Sequence, residues 1–445
     1  MLQTFSTFVR LAILLAPLWC GWASPVRADE TCNSPYMAKL IKGQEDYLHV
    51  WTLGVAGLGD GADKLVTVAV NPASPQYGKV INTVSVAGRG EAHHIGFTDD
   101  RHYLWAGRLD DSRMFIFDVG TDPAHPKLVR TLTDAEAQTG FAGPHTFYAL
   151  PGRMLVAFLS NPRDHGGRTG LAVYNNRGDF VARYALPVGP GSVGSVGSVG
   201  SGDGYGYDAA INPQKNLLLT SSFTGRDNYM APLPQLIKNP AAMKRFGNTM
   251  VVWDLKAMTP KQVLATPGAP LEIRWSPQPG DNWAITATAL TSKLWLVDQA
   301  PDGSWMAKDV ASIGNPAATP LPVDLSISAD GKRLWVNTFM DGKTRLFDLS
   351  RPQAPVQIYE KTTGKHVNML SQSWDGKRLY ITTSLLSAWD LDNDDQFLKL
   401  YFWDGKELRE QWKIDFLKEK LGRPHHMKFS AAPGPSYAAG PLVPR

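Results

Sequence analysis

Val323-Asp-Leu-Ser-Ile-Ser-Ala-Asp-Gly-Lys-Arg-Leu-Trp-Val-Asn-Thr338 and Val367-Asn-Met-Leu-Ser-Gln-Ser-Trp-Asp-Gly-Lys-Arg-Leu-Tyr-Ile-Thr382 are two copies of one pattern. A polar residue leads into a short apolar strand, Asp-Gly follows, and a second strand rich in branched and aromatic side chains comes after it. Asp-Gly between two such runs marks a tight hairpin, because the turn needs a residue at positive φ. The same shape recurs at His93-His94-Ile-Gly-Phe-Thr-Asp-Asp-Arg-His-Tyr-Leu-Trp105 and at His145-Thr-Phe-Tyr-Ala-Leu-Pro-Gly-Arg-Met-Leu-Val156. It recurs again at Tyr207-Asp-Ala-Ala-Ile-Asn-Pro-Gln-Lys-Asn-Leu-Leu-Leu219 and at Glu272-Ile-Arg-Trp-Ser-Pro-Gln-Pro-Gly-Asp-Asn-Trp-Ala284. A third strand often follows and ends in an acid, as at Asp118, Asp254, Asp298 and Asp348.

Six starts near 93, 145, 208, 272, 324 and 368 stand roughly 45 to 65 residues apart, and all-strand repeats of that length signal a β-propeller. A seventh start, His425-His426-Met427-Lys428-Phe429, has nothing after it to finish a blade. The strand-like segments left over, from Tyr47, Lys64 and Lys79, lie at the other end. The expected fold is therefore all-β, a seven-bladed propeller over residues 29–430 whose last blade is closed by N- and C-terminal strands. Such closure removes the free edge at which a ring would otherwise open.

Composition agrees. The 445 residues are 43 % hydrophobic and 19 % charged, with 14 Trp, 41 Gly and 32 Pro. That suits short strands and tight turns and argues against long helices. Lys+Arg number 45 against 41 Asp+Glu. Setting aside Arg10 and Arg27 in a leader and Arg445 in a tail leaves 45 − 3 = 42 against 41. A chain so close to neutral has no electrostatic pull on nucleic acid or on an anionic membrane. Two Cys exclude a disulfide framework and a thiolate zinc site.

Residues 1–28 read as a signal peptide: Arg10, the apolar run Leu11 to Trp22, then Val26-Arg27-Ala28 before the cut. The run is short for a membrane span, so the expectation is export to the periplasm without membrane insertion, with Cys32 as the single remaining thiol. Leu442-Val443-Pro444-Arg445 resembles a protease-site tag remnant, in a tail that runs over 431–445. Gly191 to Gly202 repeats Gly, Ser and Val and reads as a flexible loop. Residues 228–247 read as an inserted loop with a short helix.

Function follows from the ring. First strands of a propeller border the central channel and run the same way, so their starts meet at one mouth. Those starts are His93/His94, His145, Asp208, Glu272, Asp324, Asn368 and His425/His426, which gather five of the ten His. Imidazoles without thiolates suit copper, and also iron, nickel or zinc. Hydrogen bonding across a water-filled channel is the plainer use of the same His. Neighbours on a regular strand face opposite ways, so His93 and His94 can share an ion only before the strand proper or at a bulge. The same holds for His425 and His426, of which His425 is favoured. His165, on a hairpin, could lie near the mouth, and His366 could flank it. The tryptophans, among them Trp51, Trp105, Trp253, Trp335 and Trp389, read as packing between blades. The chain has no Ser-His-Asp spacing, Walker loop, dinucleotide fingerprint or CxxC.

The sequence resembles the selenium-binding protein family, and within it the exported bacterial methanethiol oxidase branch. The resemblance runs from Thr31-Cys32-Asn33-Ser34-Pro35-Tyr36 to Arg423-Pro424-His425. It is most specific at Glu91-Ala-His93-His94, Gly143-Pro-His145-Thr146, Gly206-Tyr207-Asp208, Pro270-Leu-Glu272-Ile-Arg274-Trp275 and Thr383-Ser-Leu-Leu-Ser-Ala-Trp389-Asp390. It implies a seven-bladed propeller and a copper-dependent oxidation of methanethiol by O2 and water to formaldehyde, hydrogen sulfide and hydrogen peroxide. The partners it implies are a small thiol and O2; a homo-oligomer stays open. The family's metal histidines match His93, His94, His145 and His425, while His366 and His426 fall where relatives vary. Glu272 or Asp208 is the expected acceptor of the methyl proton. Tyr47-Leu-His-Val-Trp51 has no Cys, so selenium binding is not carried over. The rival readings are a periplasmic copper- or ligand-binding propeller without turnover and a protein-interaction scaffold.

Overall fold

The computed structural model describes residues 34–188, 200–390 and 395–432. The leader, Cys32, most of the Gly/Ser/Val run and the tail beyond residue 432 lie outside the described residues. Strand pairing gives seven four-stranded antiparallel sheets. Six use four consecutive strands each, and the seventh pairs Arg423–Ser430 with Tyr47–Leu53, followed outward by Lys64–Ala69 and Val80–Ser85. The architecture is a seven-bladed β-propeller closed by strands from both ends of the described chain.

Burial falls from the axis outward. The inner strands Ala92–Phe97 and Pro322–Ile327 are buried along their whole length. The outermost strands Phe180–Ala185 and Val356–Thr362 alternate between covered and exposed residues, as a strand with one wet face must. Between the third and fourth strands the register slips by a residue, for example at Ile116/Phe117, Leu346/Phe347 and Leu400/Tyr401. An extra residue there increases twist, and a blade has to twist from axis to rim.

The punctuation read from the sequence has physical counterparts. Gly331 and Gly376, the glycines of the two Asp-Gly pairs, take φ of 71° and 69°, where a Cβ would be strained. Asp330 and Asp375 accept from the N–H of Lys332 and Lys377 and so close those turns. The acids ending third strands do similar work: Asp118, Asp254 and Asp348 accept from the N–H of Thr121, Ala257 and Ser350.

Tryptophan packs between blades. Trp105 is fully buried against Phe147 and Tyr174, and the ring of Trp335 lies 5.1 Å from that of Trp403. Trp389 departs from this expectation. It lies outside the strands and packs with Phe223 and Phe246 at one end of the channel. The inserted segment forms three short helices, Arg226–Tyr229, Leu233–Leu236 and Pro240–Met243. Their Tyr229, Leu233, Leu236 and Ala242 share a buried apolar cluster with Phe223, Phe246 and Trp389, so the insertion roofs that end.

Candidate metal centre

The residues expected to meet at the channel mouth sit on a repeated irregularity. Along Ala92–Phe97, Ala92 pairs with Arg108 but the next paired residue is Ile95, opposite Ala106. Three steps on one strand face two on the other, which leaves His93 and His94 on a bulge. The same slip spans His145 between Pro144 and Phe147, Glu272 between Pro270 and Ile273, and Asp324 after Pro322. It also spans His425 and His426, between Pro424 and Met427. A bulge re-aims side chains and frees backbone from the ladder. A proline, lacking the N–H, is tolerated there. Pro144, Pro270, Pro322 and Pro424 are thus a local signal of the bulges that spacing alone does not reveal.

The bulges bring the imidazoles together. Ring centroids are 3.8 Å apart for His93 and His425, 4.0 Å for His94 and His145, 4.8 Å for His93 and His145, and 4.9 Å for His93 and His94. One nitrogen each from His93, His94 and His425 converge within 4.8 Å. All four expected ligands are buried. Burial first, then neighbouring imidazoles, holds His93, His94 and His145 well below the ordinary imidazole value. Burial pushes His425 down to about 3, against an opposing bond to the Ser384 carbonyl. Neutral rings keep lone pairs for a ligand.

The residues fit a metal ion. His93 Nδ1, both ring nitrogens of His94, and Nε2 of His145 and His425 are buried without a hydrogen-bond partner among the described residues. Orphaned polar atoms in a dry interior are costly, and a cation would satisfy several at once. Neighbours fix the other ring nitrogens. His425 Nδ1–H donates to the Ser384 carbonyl at 2.7 Å, which leaves Nε2 as the lone-pair nitrogen. His145 Nδ1 lies 3.1 Å from Thr146 Oγ1, and that hydroxyl donates to Asp208 at 3.0 Å. Partners of this kind set tautomer and orientation in metal sites.

The two acids differ in position. Glu272 Oε1 is 3.7 Å from His94 Nε2, while its Oε2 accepts from Arg274 at 3.1 Å. Asp208 accepts from Thr146, from the N–H of Ala209 and Ile273, and from Arg274. Arg274 also donates to Asp324, whose carboxyl burial pushes up to about 7 against the pull of that guanidinium. Arg274, quoted in the sequence only as part of a motif, is the hub of the channel's acids.

His426, which the sequence ranks below His425, is also part of the cluster. It is buried and stacks on His94 at 4.5 Å and 9°. Its Nδ1 accepts from Ile95 N–H at 3.1 Å, so in the neutral ring the proton sits on Nε2. His366 stacks on Phe339. His165 is exposed and bonded to Asp227, and His49 is buried between Thr67 and Ser430. None of these three joins the cluster.

Fold and site together define a propeller with an all-imidazole, metal-competent centre at one end of its channel. A profile of the 56 kDa selenium binding protein (SBP56) family matches residues 26–408, and the chain belongs to that family. It is 61 % identical over 406 residues to a protein of Hyphomicrobium named methanethiol oxidase, covering 91 % of each chain. A protein of the same name from Ruegeria pomeroyi is 55 % identical over 411 residues, covering 91 % of this chain and 94 % of the other. These two bacterial relatives therefore carry the name of an oxidoreductase. Among solved structures, a hypothetical selenium-binding protein from Sulfolobus tokodaii superposes with TM-score 0.76 at 23 % identity, over 89 % of this chain and 96 % of that one. At that identity it supports the fold.

Proposed function

We propose that this protein is a methanethiol oxidase that holds copper on His93, His94, His145 and His425 and works in the periplasm. The observation that carries the reading is the set of buried, partnerless imidazole nitrogens at the channel end, in a chain 55–61 % identical to two methanethiol oxidases. An all-nitrogen donor set without thiolate accords with copper. The leader-like residues 1–28 support export.

Overall, methanethiol, O2 and water, one of each, become formaldehyde, hydrogen sulfide and hydrogen peroxide, one of each. The methyl carbon gives up two electrons, O2 takes them with two protons as peroxide, water supplies the aldehyde oxygen, and sulfur leaves as sulfide. The chemistry that bound copper supplies is acidification of the thiol and electron exchange. The protein's own groups supply the rest. Glu272 accepts the methyl proton at Oε1, the oxygen facing His94, while Arg274 holds Oε2 and fixes the carboxylate's direction. Asp208, engaged by four donors, acts through Thr146 on the orientation of His145. The Ser384 carbonyl holds His425 in the tautomer that presents Nε2.

Plasma mass spectrometry on purified His145→Ala and Glu272→Gln separates these roles. His145→Ala should lose most of its copper. Glu272→Gln should keep the metal while kcat falls roughly 100-fold or more, a typical share for a general base. Full copper and activity in His145→Ala would remove that residue from the centre. Copper retained without peroxide release from methanethiol, in the unaltered protein, would leave a metal-binding propeller without turnover.

A further inference from the structure

Beside the imidazole cluster lies a small cavity of about 10 Å³, room for roughly one water-sized group. His93 forms one wall, and the rest is almost wholly apolar, including Leu109, Phe223, Leu271, Leu386 and Trp389. The roof is the helical insertion and the segment before Asp390, whose Leu385, Leu386 and Trp389 share one buried cluster with Leu233 and Leu236. Among these walls stand two polar atoms with nothing to bind among the described residues, His93 Nδ1, already counted with the imidazole cluster, and one indole nitrogen. Trp389 is only 2 % exposed, and its Nε1–H has no hydrogen-bond partner among the described residues. Trp51 Nε1 donates to the Gly107 carbonyl and Trp253 Nε1 to Thr220 Oγ1. Trp105, Trp403 and Trp412 share the partnerless indole N–H of Trp389 among the described residues, but of the four only Trp389 lines this cavity. A buried donor left unpaired costs free energy that a ligand's acceptor would recover.

We infer that this chamber is the substrate subsite, that it receives the methyl group of a one-carbon thiol with the sulfur at its edge, and that Trp389 Nε1–H donates to the sulfur. The inference rests on the proposed oxidase reading and adds the means of selection. An apolar wall rejects carboxylate and hydroxyl groups, which would lose their water without gaining partners. The room available suits a methyl group, so each further methylene must displace packed side chains. A methylene in a hydrophobic pocket is worth about 1–3 kcal/mol, or roughly 10–200-fold. A single weak N–H donor matches a soft sulfur acceptor. Trp389 is thus a specificity residue that touches substrate, and Leu386 and Phe223 set the size limit.

The test uses thioethers, which have no S–H to oxidise, so binding is read apart from turnover. Isothermal titration of the copper-loaded protein with dimethyl sulfide, which places one methyl in the chamber and leaves the other outside it, should show one site. Trp389→Phe, which keeps an aromatic ring and removes the donor, should weaken that binding about three- to tenfold. Leu386→Ala should tighten dipropyl sulfide about tenfold or more relative to dimethyl sulfide, and should shift methanethiol oxidation toward propanethiol to the same extent. If Leu386→Ala fails to fold, Phe223→Leu makes the same space. Unchanged thioether affinities in variants with wild-type circular dichroism and Tm would overturn the subsite. No dimethyl sulfide binding by the unaltered protein would overturn it as well. Thioether binding as predicted without any methanethiol oxidation would instead overturn the enzyme reading and leave the chamber standing.

Discussion

Imidazoles as close as 3.8 Å between ring centroids are tolerated here because burial keeps them neutral. Orientation is then set by single atoms, such as the Ser384 carbonyl on His425 and the Thr146 hydroxyl on His145. Thr146→Val, close in shape but without the hydroxyl, should lower metal affinity roughly 10- to 100-fold. Competition with a chelator measures that, and unchanged affinity would remove the Thr146–Asp208 pair from the account. Glu91, two residues before His93, gives a stability prediction. Burial pushes its carboxyl up to about 8, against bonds from the Ser387 N–H and hydroxyl. An acid whose pKa is raised on folding contributes stability that is complete below its unfolded value near 4.5 and is lost as pH rises through 8. Glu91→Gln should therefore melt about 2–4 °C above the unaltered protein at about pH 8.5 and show little difference at about pH 4.5. Parallel curves at both pH values would contradict the burial argument. At this scale the sequence is informative about residue type and silent about environment. The four histidines and Glu272 can be named from spacing and resemblance, but nothing in one sequence shows that Asp208 is saturated by donors or that His426 stacks on His94.

Elements explain why these residues could be collected. The hairpin signature Asp-Gly-Lys-Arg-Leu, the acids at third-strand ends and the polar strand starts are local chemistry, so they are legible in the chain. The bulge is half legible: a shared ion for His93 and His94 demands one, and the register slip at Ala92/Ile95 provides it. Its recurrence leaves a local trace in Pro144, Pro270, Pro322 and Pro424, but the slip itself is a matter of pairing across strands, which the folded sheet displays. The roof over the cavity is legible merely as an insertion, because partners of Leu233 and Leu236 such as Leu109 and Trp389 come from more than a hundred positions away. Turn chemistry gives a prediction independent of the metal. Gly331→Ala places a Cβ at φ 71° and should cost about 1 kcal/mol, with copper content unchanged. Denaturant unfolding measures it, and an unchanged midpoint would mean that the turn relaxes.

For the whole molecule, ring closure and site assembly are one event. The strand Arg423–Ser430 is both the innermost strand of the closing blade and the carrier of His425, so the propeller cannot close without completing the centre. A chain ending at Gly422 should lose cooperative unfolding and copper together. A monomer of normal Tm that lacks only the metal would show that closure is dispensable. The remaining inner strands supply His93, His94, His145 and Glu272 from positions spread over nearly two hundred residues, and only a closed ring makes them neighbours. On the proposed reading, this assembled cluster holds the copper that oxidises methanethiol. An oxygen-electrode trace with methanethiol, taken on copper-loaded protein, on chelated protein and after copper is restored, tests it most directly. O2 uptake that rises and falls with bound copper, with one peroxide released per O2, is the predicted result. Uptake at the full rate in copper-depleted protein would contradict it.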